Sequence, residues 1–141
     1  MTTTPSTPQP EPDSNRNMKK ALQPKKWVPR GPYSLATQLG NMVFLAGQIA
    51  QDNDGKTIGG DVKAQTAVVI DKIEQILAEA GMGLDDVVST TVYLQSLSDY
   101  GAMNEVYRSR FKGVMPARAT VRADLAGEGL LVEISAIAGR A

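Results

Sequence analysis

Apolar and polar positions repeat with two different periods beyond about residue 31, and their succession predicts one α+β domain. Strand-like runs are β-branched or alternate every second residue, whereas helix-like runs repeat at three and four residues. The predicted order is ββαβαββ, with strands over residues 35–38, 42–46, 87–94, 117–123 and 130–138, and helices over residues 61–81 and from residue 99 to before residue 116.

The ends of these elements carry suitable residues. Asp61 has the short acceptor side chain of a helix N-cap, and Gly81 stands where a helix-terminating glycine belongs. The pair Gly40-Asn41 predicts the turn between the first two strands. The second helix begins at Asp99, and its apolar stripe consists of Tyr100, Met103, Tyr107 and Phe111.

Two helices cannot cover both faces of a sheet of this size, so we expect a two-layer domain with a mixed sheet and both helices on one face. Residues 42–46 and 130–138 are apolar at successive positions, which indicates that both faces of these strands need burial. A homo-oligomer that closes around the sheets would provide that burial.

The N-terminal part of the chain differs in composition, which divides it into a tail over residues 1–30 and a domain over residues 31–141. Residues 1–17 are rich in Pro, Thr, Ser and Asn and are typical of disorder. Residues 18–30 carry a basic patch around Trp27, formed by Lys19, Lys20, Lys25, Lys26 and Arg30. Such a patch could contact nucleic acid or an anionic ligand, but we interpret it as a solvated linker whose tryptophan docks on the domain.

Charge and residue usage exclude several function classes. The formal net charge is +0, which gives no long-range attraction to nucleic acid or to an anionic membrane. The chain has neither an apolar segment of membrane length nor a secretory signal, so a cytoplasmic location is expected. With no His and no Cys, it lacks the residues for a Ser–His–Asp triad, a thiolate nucleophile or a usual zinc site.

Several acidic or glycine-rich segments invite functional interpretation, and we assign them structural roles. Residues 54–57 (DGKT) lack the upstream glycine of a phosphate loop and predict a surface turn. Asp52 and Asp54 lack calcium-loop spacing, and Asp85-Asp86 precede a strand as turn formers.

Arg118 and Glu133 are the strongest candidates for chemistry. Arg118 opens a strand behind the stiff segment 115–117, and Glu133 interrupts an otherwise apolar strand. Buried charged groups are rare unless they are paired or functional. We expect the last two strands to be adjacent and to bring the two side chains together. They would then form either a functional pair or a structural ion pair, and the residues alone leave both open.

The sequence around these residues resembles the Rid (YjgF/UK114) family of reactive intermediate imine deaminases over about residues 31–140. The resemblance is carried, in chain order, by Gly31-Pro32-Tyr33-Ser34, residues 40–48 (GNMVFLAGQ), Asn104, Tyr107, residues 116–121 (PARATV) and residues 132–138 (VEISAIA). It implies a chorismate-mutase-like fold assembled as a homotrimer, with the helices outside and clefts between subunits. The implied activity is hydrolysis of 2-imino and 2-enamino acids, such as 2-iminobutanoate and 2-iminopropanoate, to 2-oxo acids and ammonia, without metal or cofactor.

The resemblance also implies a role for particular residues. Arg118 would bind the substrate carboxylate with its bidentate fork, and Glu133 would orient or activate the attacking water. The remaining positions that match substrate-binding positions of the family are Tyr33, Gly47, Asn104 and Thr120.

Some positions depart from the family pattern and leave the substrate side chain open. These are Leu35, Ala46, Thr120 and Ser135. One alternative is therefore a specialised catabolic enamine deaminase, and another is a regulatory trimer that binds 2-oxo acids without turnover. A third is nucleic-acid binding or cleavage, which neutral charge, 5% aromatic residues and absence of His disfavour.

Overall fold

The computed structural model describes residues 18–141, which form one six-stranded sheet and two α-helices. The predicted α+β class is confirmed. The strands are β1 (Lys20–Leu22), β2 (Ala36–Leu39), β3 (Met42–Ile49), β4 (Val87–Leu94), β5 (Ala117–Arg122) and β6 (Val132–Gly139). The helices are α1 (Val62–Ala78) and α2 (Tyr100–Arg110), with short 3₁₀ turns at Leu84–Asp86 and Leu97–Asp99.

The strand order across the sheet is β1-β2-β3-β6-β4-β5. All neighbouring pairs are antiparallel except β4 and β5, which are parallel and joined through α2. The last strand, β6, is therefore inserted between β3 and β4, and β4 separates it from β5. The adjacency of the last two strands that the sequence led us to expect is wrong.

Both helices pack on one face of the sheet, which confirms the predicted two-layer arrangement. The alternation along β6 shows the two faces clearly, since Val132, Ile134, Ala136 and Ala138 are at most 4% exposed. These side chains lie on the side of α1 and α2, which we call the helix face. Glu133, Ser135 and Ile137 point to the other side, which we call the open face.

The ends of α1 follow the sequence prediction, and so does the apolar stripe of α2 except at one residue. Asp61 accepts a hydrogen bond from the Ala64 backbone at 2.8 Å, and Gly81 adopts a positive φ of 70°. Met103, Tyr107 and Phe111 are buried, but Tyr100 is 45% exposed. Tyr100 is the first residue of α2 and does not reach the core.

Residues 18–30, which were assigned to the tail, pack on the domain. β1 pairs with β2, and Leu22 is only 4% exposed. The Trp27 indole donates a hydrogen bond to Gln75 of α1 at 2.5 Å, so the predicted docking of Trp27 is confirmed. Residues 1–17, for which disorder was predicted, lie outside the described residues.

A lysine lies buried beneath Trp27. The Lys72 ammonium group donates to the backbone oxygens of Ile49 at 2.8 Å and Gln51 at 2.5 Å, and it lies 4.2 Å from the indole centroid. Burial lowers the pKa of Lys72 to about 8. This lysine therefore links α1 to the end of β3 and to the segment that carries Trp27.

The DGKT segment forms the predicted surface turn. The Asp52 carboxylate accepts hydrogen bonds from the backbones of Asp54 and Lys56, both at 2.9 Å. Gly55 adopts a positive φ of 85°, and Thr57 donates to the Glu128 carbonyl at 2.7 Å.

Within residues 18–141, no helix has both the length and the apolar character needed to cross a membrane.

Within residues 18–141, no layer of helices or strands covers the open face. Met42 and Phe44 of β3, for which burial on both faces was predicted, are 37% and 44% exposed. Ile137 lies beside Phe44 in the register of β3 and β6. The described residues thus bury only the helix face of this strand pair.

Candidate active site

Glu133 lies on the open face of β6, at the sheet centre. Its backbone pairs with Tyr93 of β4 on one side and Ile49 of β3 on the other. The register of β3 shifts between Leu45 and Gln48, so two residues of β3 stand opposite one residue of β6. Such a bulge bends the strand and redirects side chains locally.

One of the two bulge residues is Gly47, and its missing side chain makes room for the Glu133 carboxylate. A Cβ at residue 47 would overlap Glu133 Oε2 and lie 2.8 Å from Cδ. Any larger residue would therefore displace the carboxyl group. Close approach of a side chain to backbone is a physical reason for glycine at this position.

The Glu133 carboxyl group is half-buried, and burial raises its pKa above the ordinary glutamate value. No cation within residues 18–141 forms an ion pair with it. A carboxylate in this condition is a stronger base than an exposed one.

An open cavity of about 580 Å³ adjoins this carboxylate, a size that accommodates a small metabolite. Tyr33, which is 51% exposed, stands in its wall. We call this group the glutamate half-site, and its lining residues are Arg30, Tyr33, Ala46, Gly47, Ile49, Gln51, Ala126 and Glu133.

Arg118 belongs to a second group, on the edge strand β5. Its guanidinium carbon lies 4.7 Å from the ring centroid of Tyr107 and 5.6 Å from that of Tyr100. Its Nη2 donates to the Tyr100 hydroxyl at 3.2 Å. The aromatic rings hold the cation by cation–π attraction, and no acidic group within residues 18–141 forms an ion pair with it.

Hydrogen bonds hold Tyr100 and Tyr107 in place. The Tyr107 hydroxyl shares a 2.7 Å hydrogen bond with Thr90 of β4, and burial raises the pKa of Tyr107. A hydrogen bond from Asn104, together with the Arg118 charge, lowers the pKa of Tyr100. Arg118 is therefore held in place by α2 rather than by a carboxylate.

Two buried polar atoms lie beside Arg118 without a partner among residues 18–141. They are Oδ1 of Asn104 on α2 and Oγ1 of Thr120 on β5. Buried polar atoms normally form hydrogen bonds, so a ligand with donor and acceptor groups would satisfy them. We call this group the arginine half-site, and it consists of Tyr100, Asn104, Tyr107, Arg118 and Thr120.

The two half-sites do not meet within one chain. Arg118 contacts α2 and lies on the helix face, whereas Glu133 lies on the open face. Arg118 pairs with Thr90 and Glu133 with Tyr93, on either side of β4. Two strand spacings and three residues separate them by roughly 14 Å in the sheet plane. The expected pairing within one chain, whether functional or structural, is wrong.

The six residues that the sequence identified as candidates thus divide into two groups. Tyr33, Gly47 and Glu133 lie together in the glutamate half-site. Asn104, Arg118 and Thr120 belong to the arginine half-site.

Sequence reasoning missed three neighbours of these residues. Tyr100 and Tyr107 were assigned to the core, although their spacing of four and three residues from Asn104 places all three on one helix face. Arg30 was assigned to the linker, and its position in the cavity wall depends on how residues 18–30 pack. The sequence marks Arg30 only as one member of a basic patch that could contact an anionic ligand.

Comparisons with known proteins match most of the chain. Residues 23–139 match the sequence model of the family described as Endoribonuclease L-PSP. A RutC family protein from Pyrococcus abyssi is 48% identical over 111 residues, covering 78% of this chain and 87% of that protein. The 2-iminobutanoate/2-iminopropanoate deaminase of Mus musculus is 37% identical over 109 residues, covering 77% and 81%.

The structural similarity extends over the same region. The crystal structure of the YjgF gene product from E. coli superimposes with a TM-score of 0.78 at 30% identity, covering 86% of this chain and 99% of that one. The match includes the glutamate half-site and the arginine half-site, and β1 precedes the first residue matched by the family. The chain therefore belongs to the Endoribonuclease L-PSP family, also known as the Rid or YjgF family.

Proposed function

We propose that this protein hydrolyses reactive 2-imino and 2-enamino acids, of the 2-iminobutanoate and 2-iminopropanoate type, to 2-oxo acids and ammonia. The observation that carries the proposal is a half-buried carboxylate, Glu133, that faces a cavity and has no cationic partner within the described chain. The deaminase activity named for the mouse relative supports the same reaction class.

The active site is assembled from two copies of the chain. Arg118 and Glu133 lie on opposite faces, so one substrate can contact both only if the two groups come from different copies. The open face supplies a reason for association, because Phe44 and Val121 are 44% and 43% exposed. A homotrimer closes such a heterologous contact into a ring with three equivalent clefts.

In this cleft Arg118 binds the substrate carboxylate. Its planar fork matches a carboxylate bidentately, and the Tyr107 ring fixes its orientation. The unpartnered oxygens of Asn104 and Thr120 supply further polar contacts around the bound substrate. Binding here places the imine carbon opposite the Glu133 carboxylate of the neighbouring copy.

The reaction then requires only one positioned water. Water adds its oxygen to the imine carbon while Glu133 accepts a proton from the water, and the C=N electron pair moves to nitrogen. The proton on Glu133 passes to that nitrogen and completes the carbinolamine. Glu133 then takes the carbinolamine hydroxyl proton and delivers it to the amino group, so that the C=O bond forms as the C–N bond breaks and ammonia leaves. Orientation and a base of raised pKa together lower the barrier by several kcal/mol.

A coupled assay tests this function. An amino-acid oxidase generates 2-imino acids in situ, and semicarbazide traps what has not been hydrolysed. We expect the protein to accelerate imine loss, and we expect Arg118→Ala and Glu133→Gln each to reduce kcat/KM by about 10²-fold or more. Arg122→Ala, an exposed arginine on the same strand as Arg118, serves as the matched control and retains activity.

The same assay separates catalysis from binding. Acceleration that Glu133→Gln leaves unchanged would remove Glu133 from the chemistry. If imines of small and large side chains all disappear at the uncatalysed rate while 2-oxo acids still bind, the cleft is a binding site without turnover.

A further inference from the structure

We propose that Arg30 recognises an anionic group on the substrate side chain, so that the preferred substrates are 2-imino dicarboxylic acids. This inference rests on the proposed function and specifies its substrate class. Its first basis is position, because Arg30 and Glu133 line one continuous cavity of about 580 Å³. A substrate whose reacting carbon faces Glu133 extends the rest of its length within the same cavity.

The Arg30 guanidinium is held in place rather than free to move. Its Nη1 donates to the backbone oxygen of Asn53 at 2.7 Å. The Asn53 side chain is fixed in turn, since it donates to the Lys26 carbonyl at 2.8 Å and accepts from the Val28 backbone at 3.2 Å. A preorganised guanidinium loses less conformational entropy when it binds an anion.

A glycine lies directly beneath the guanidinium. A Cβ at Gly55 would lie 2.6 Å from Arg30 Nη2 and 2.9 Å from Cζ, so a side chain there would displace it. Gly55 also has a positive φ of 85°, which other residues rarely adopt. The turn formed by the DGKT segment therefore packs against the Arg30 guanidinium.

Arg30 has no acidic ion-pair partner within residues 18–141. Asp52 is near enough to sense its charge, but the Asp52 carboxylate accepts hydrogen bonds from its own turn, at Asp54 and Lys56. A guanidinium with five donors and a single described hydrogen bond, to a neutral carbonyl, retains capacity for a carboxylate.

A second cation strengthens the positive field. Lys72 and Arg30 both line a smaller cavity that adjoins the first and shares Tyr33 and Gly47 with it. Lys72 itself is buried against Trp27 and backbone oxygens, so it contributes charge without contacting ligand. Asp52 also lines the smaller cavity and offsets part of this charge, so an anionic substrate group would be balanced by the two cations against one carboxylate.

The competing structural role for Arg30 is to attach residues 18–30 to the turn at Asn53. The two roles have different consequences. A structural attachment affects all substrates equally, whereas an anion-binding residue changes the ratio of kcat/KM values between anionic and neutral substrates.

The test compares 2-iminosuccinate and 2-iminoglutarate, generated by oxidases from aspartate and glutamate, with the imines of alanine and leucine. We expect wild type to prefer the dicarboxylates and Arg30→Ala to reduce that preference by about 5-fold, as the loss of one contact between an exposed arginine and a carboxylate predicts. Arg30→Lys should restore part of it, and 0.5 M salt should weaken it in wild type but not in Arg30→Ala.

Asn53→Ala is the matched control, since it removes the side-chain contacts to Lys26 and Val28 but keeps the Arg30 charge. Asn53→Ala should keep more of the preference for dicarboxylic imines than Arg30→Ala does. Equal kcat/KM for neutral and dicarboxylic imines in wild type would overturn the inference while leaving the deaminase function intact. Failure to accelerate any imine would instead overturn the proposed function itself.

Discussion

The Glu133 carboxylate packs directly on the backbone of Gly47, whose missing side chain leaves the space that it occupies. The contact exists because a bulge in β3 puts two residues opposite one residue of β6. It fixes the carboxylate at the cavity wall, where no cation among residues 18–141 forms an ion pair with it. The position of the proposed base therefore depends on a residue that supplies no functional group.

Gly47→Ala tests this dependence. The added methyl group would displace the Glu133 carboxylate, and we expect kcat/KM to fall by about 10²-fold because a misplacement of about 1 Å has that effect. The measurement is the imine-hydrolysis assay together with thermal unfolding. Gly60→Ala is the control, since a Cβ there meets nothing within 4 Å. Full activity in Gly47→Ala would show that the carboxylate need not occupy this position.

The ionisation of Glu133 predicts a second result. Burial raises its pKa, so the acid limb of the kcat/KM profile should lie above the ordinary glutamate value of about 4.3. Glu133→Gln should abolish the limb together with most of the activity. An acid limb below about pH 4 would show that the neighbouring guanidinium outweighs burial in the assembled cleft.

The raised pKa of Glu133 also determines how its contribution to folding stability changes with pH. The folded chain binds the Glu133 proton more tightly than the unfolded chain, so the carboxyl group favours folding most below its unfolded pKa. That contribution is lost as the pH rises through the folded pKa. At neutral pH Glu133→Gln should therefore unfold at a higher denaturant concentration than wild type, and the difference should vanish in acid.

Local sequence patterns predicted most of the secondary structure, because they reflect short-range physics. The Asp61 cap and the Gly81 terminus of α1 are determined by backbone geometry within a few residues. β1 was missed because three residues carry too little periodicity, and its pairing with β2 is a tertiary contact. Tyr100 was misassigned because helical spacing cannot tell where the covered sheet ends.

The structure divides the candidate residues into two groups, and the sequence did not predict that arrangement. Glu133 stood out as a charge in an apolar strand, and Arg118 as a charge that opens a strand behind the stiff segment 115–117. Both signals are local. Their placement on opposite faces depends on the insertion of β6 between β3 and β4, which no single strand encodes. Arg30 depends on long-range packing for the same reason.

Lys72 provides a prediction that is independent of catalysis. The folded chain releases its proton near pH 8 and the unfolded chain near 10.5, so the unfolded state holds more protons between these values. The free energy of unfolding should rise by up to about 3 kcal/mol over this range. Urea unfolding at fixed protein concentration, at pH 7 to 10, measures the rise.

The comparison with Lys72→Met isolates this effect from other groups that titrate in alkali. The rise should disappear in Lys72→Met and persist in Lys63→Met, which removes an exposed lysine from the same helix. Parallel curves for wild type and Lys72→Met would show that the Lys72 ammonium group is solvated in the folded protein.

The proposed assembly of the active site from two copies predicts that two inactive variants restore each other. A cleft that takes Arg118 from a Glu133→Gln subunit and Glu133 from an Arg118→Ala subunit contains both wild-type groups. Random mixing of equal amounts restores about a quarter of the clefts, since each cleft draws independently on two neighbouring subunits.

The experiment mixes the two variants under conditions of subunit exchange and follows imine hydrolysis over time. The control mixes Arg118→Ala with the double variant that carries both Arg118→Ala and Glu133→Gln. This mixture contains no wild-type Arg118 and should stay inactive. Recovery to about a quarter of wild-type activity requires that the arginine half-site and the glutamate half-site act across an interface. A mixture that remains inactive although light scattering and mass measurements confirm exchange would mean that the two half-sites act within one chain or separately.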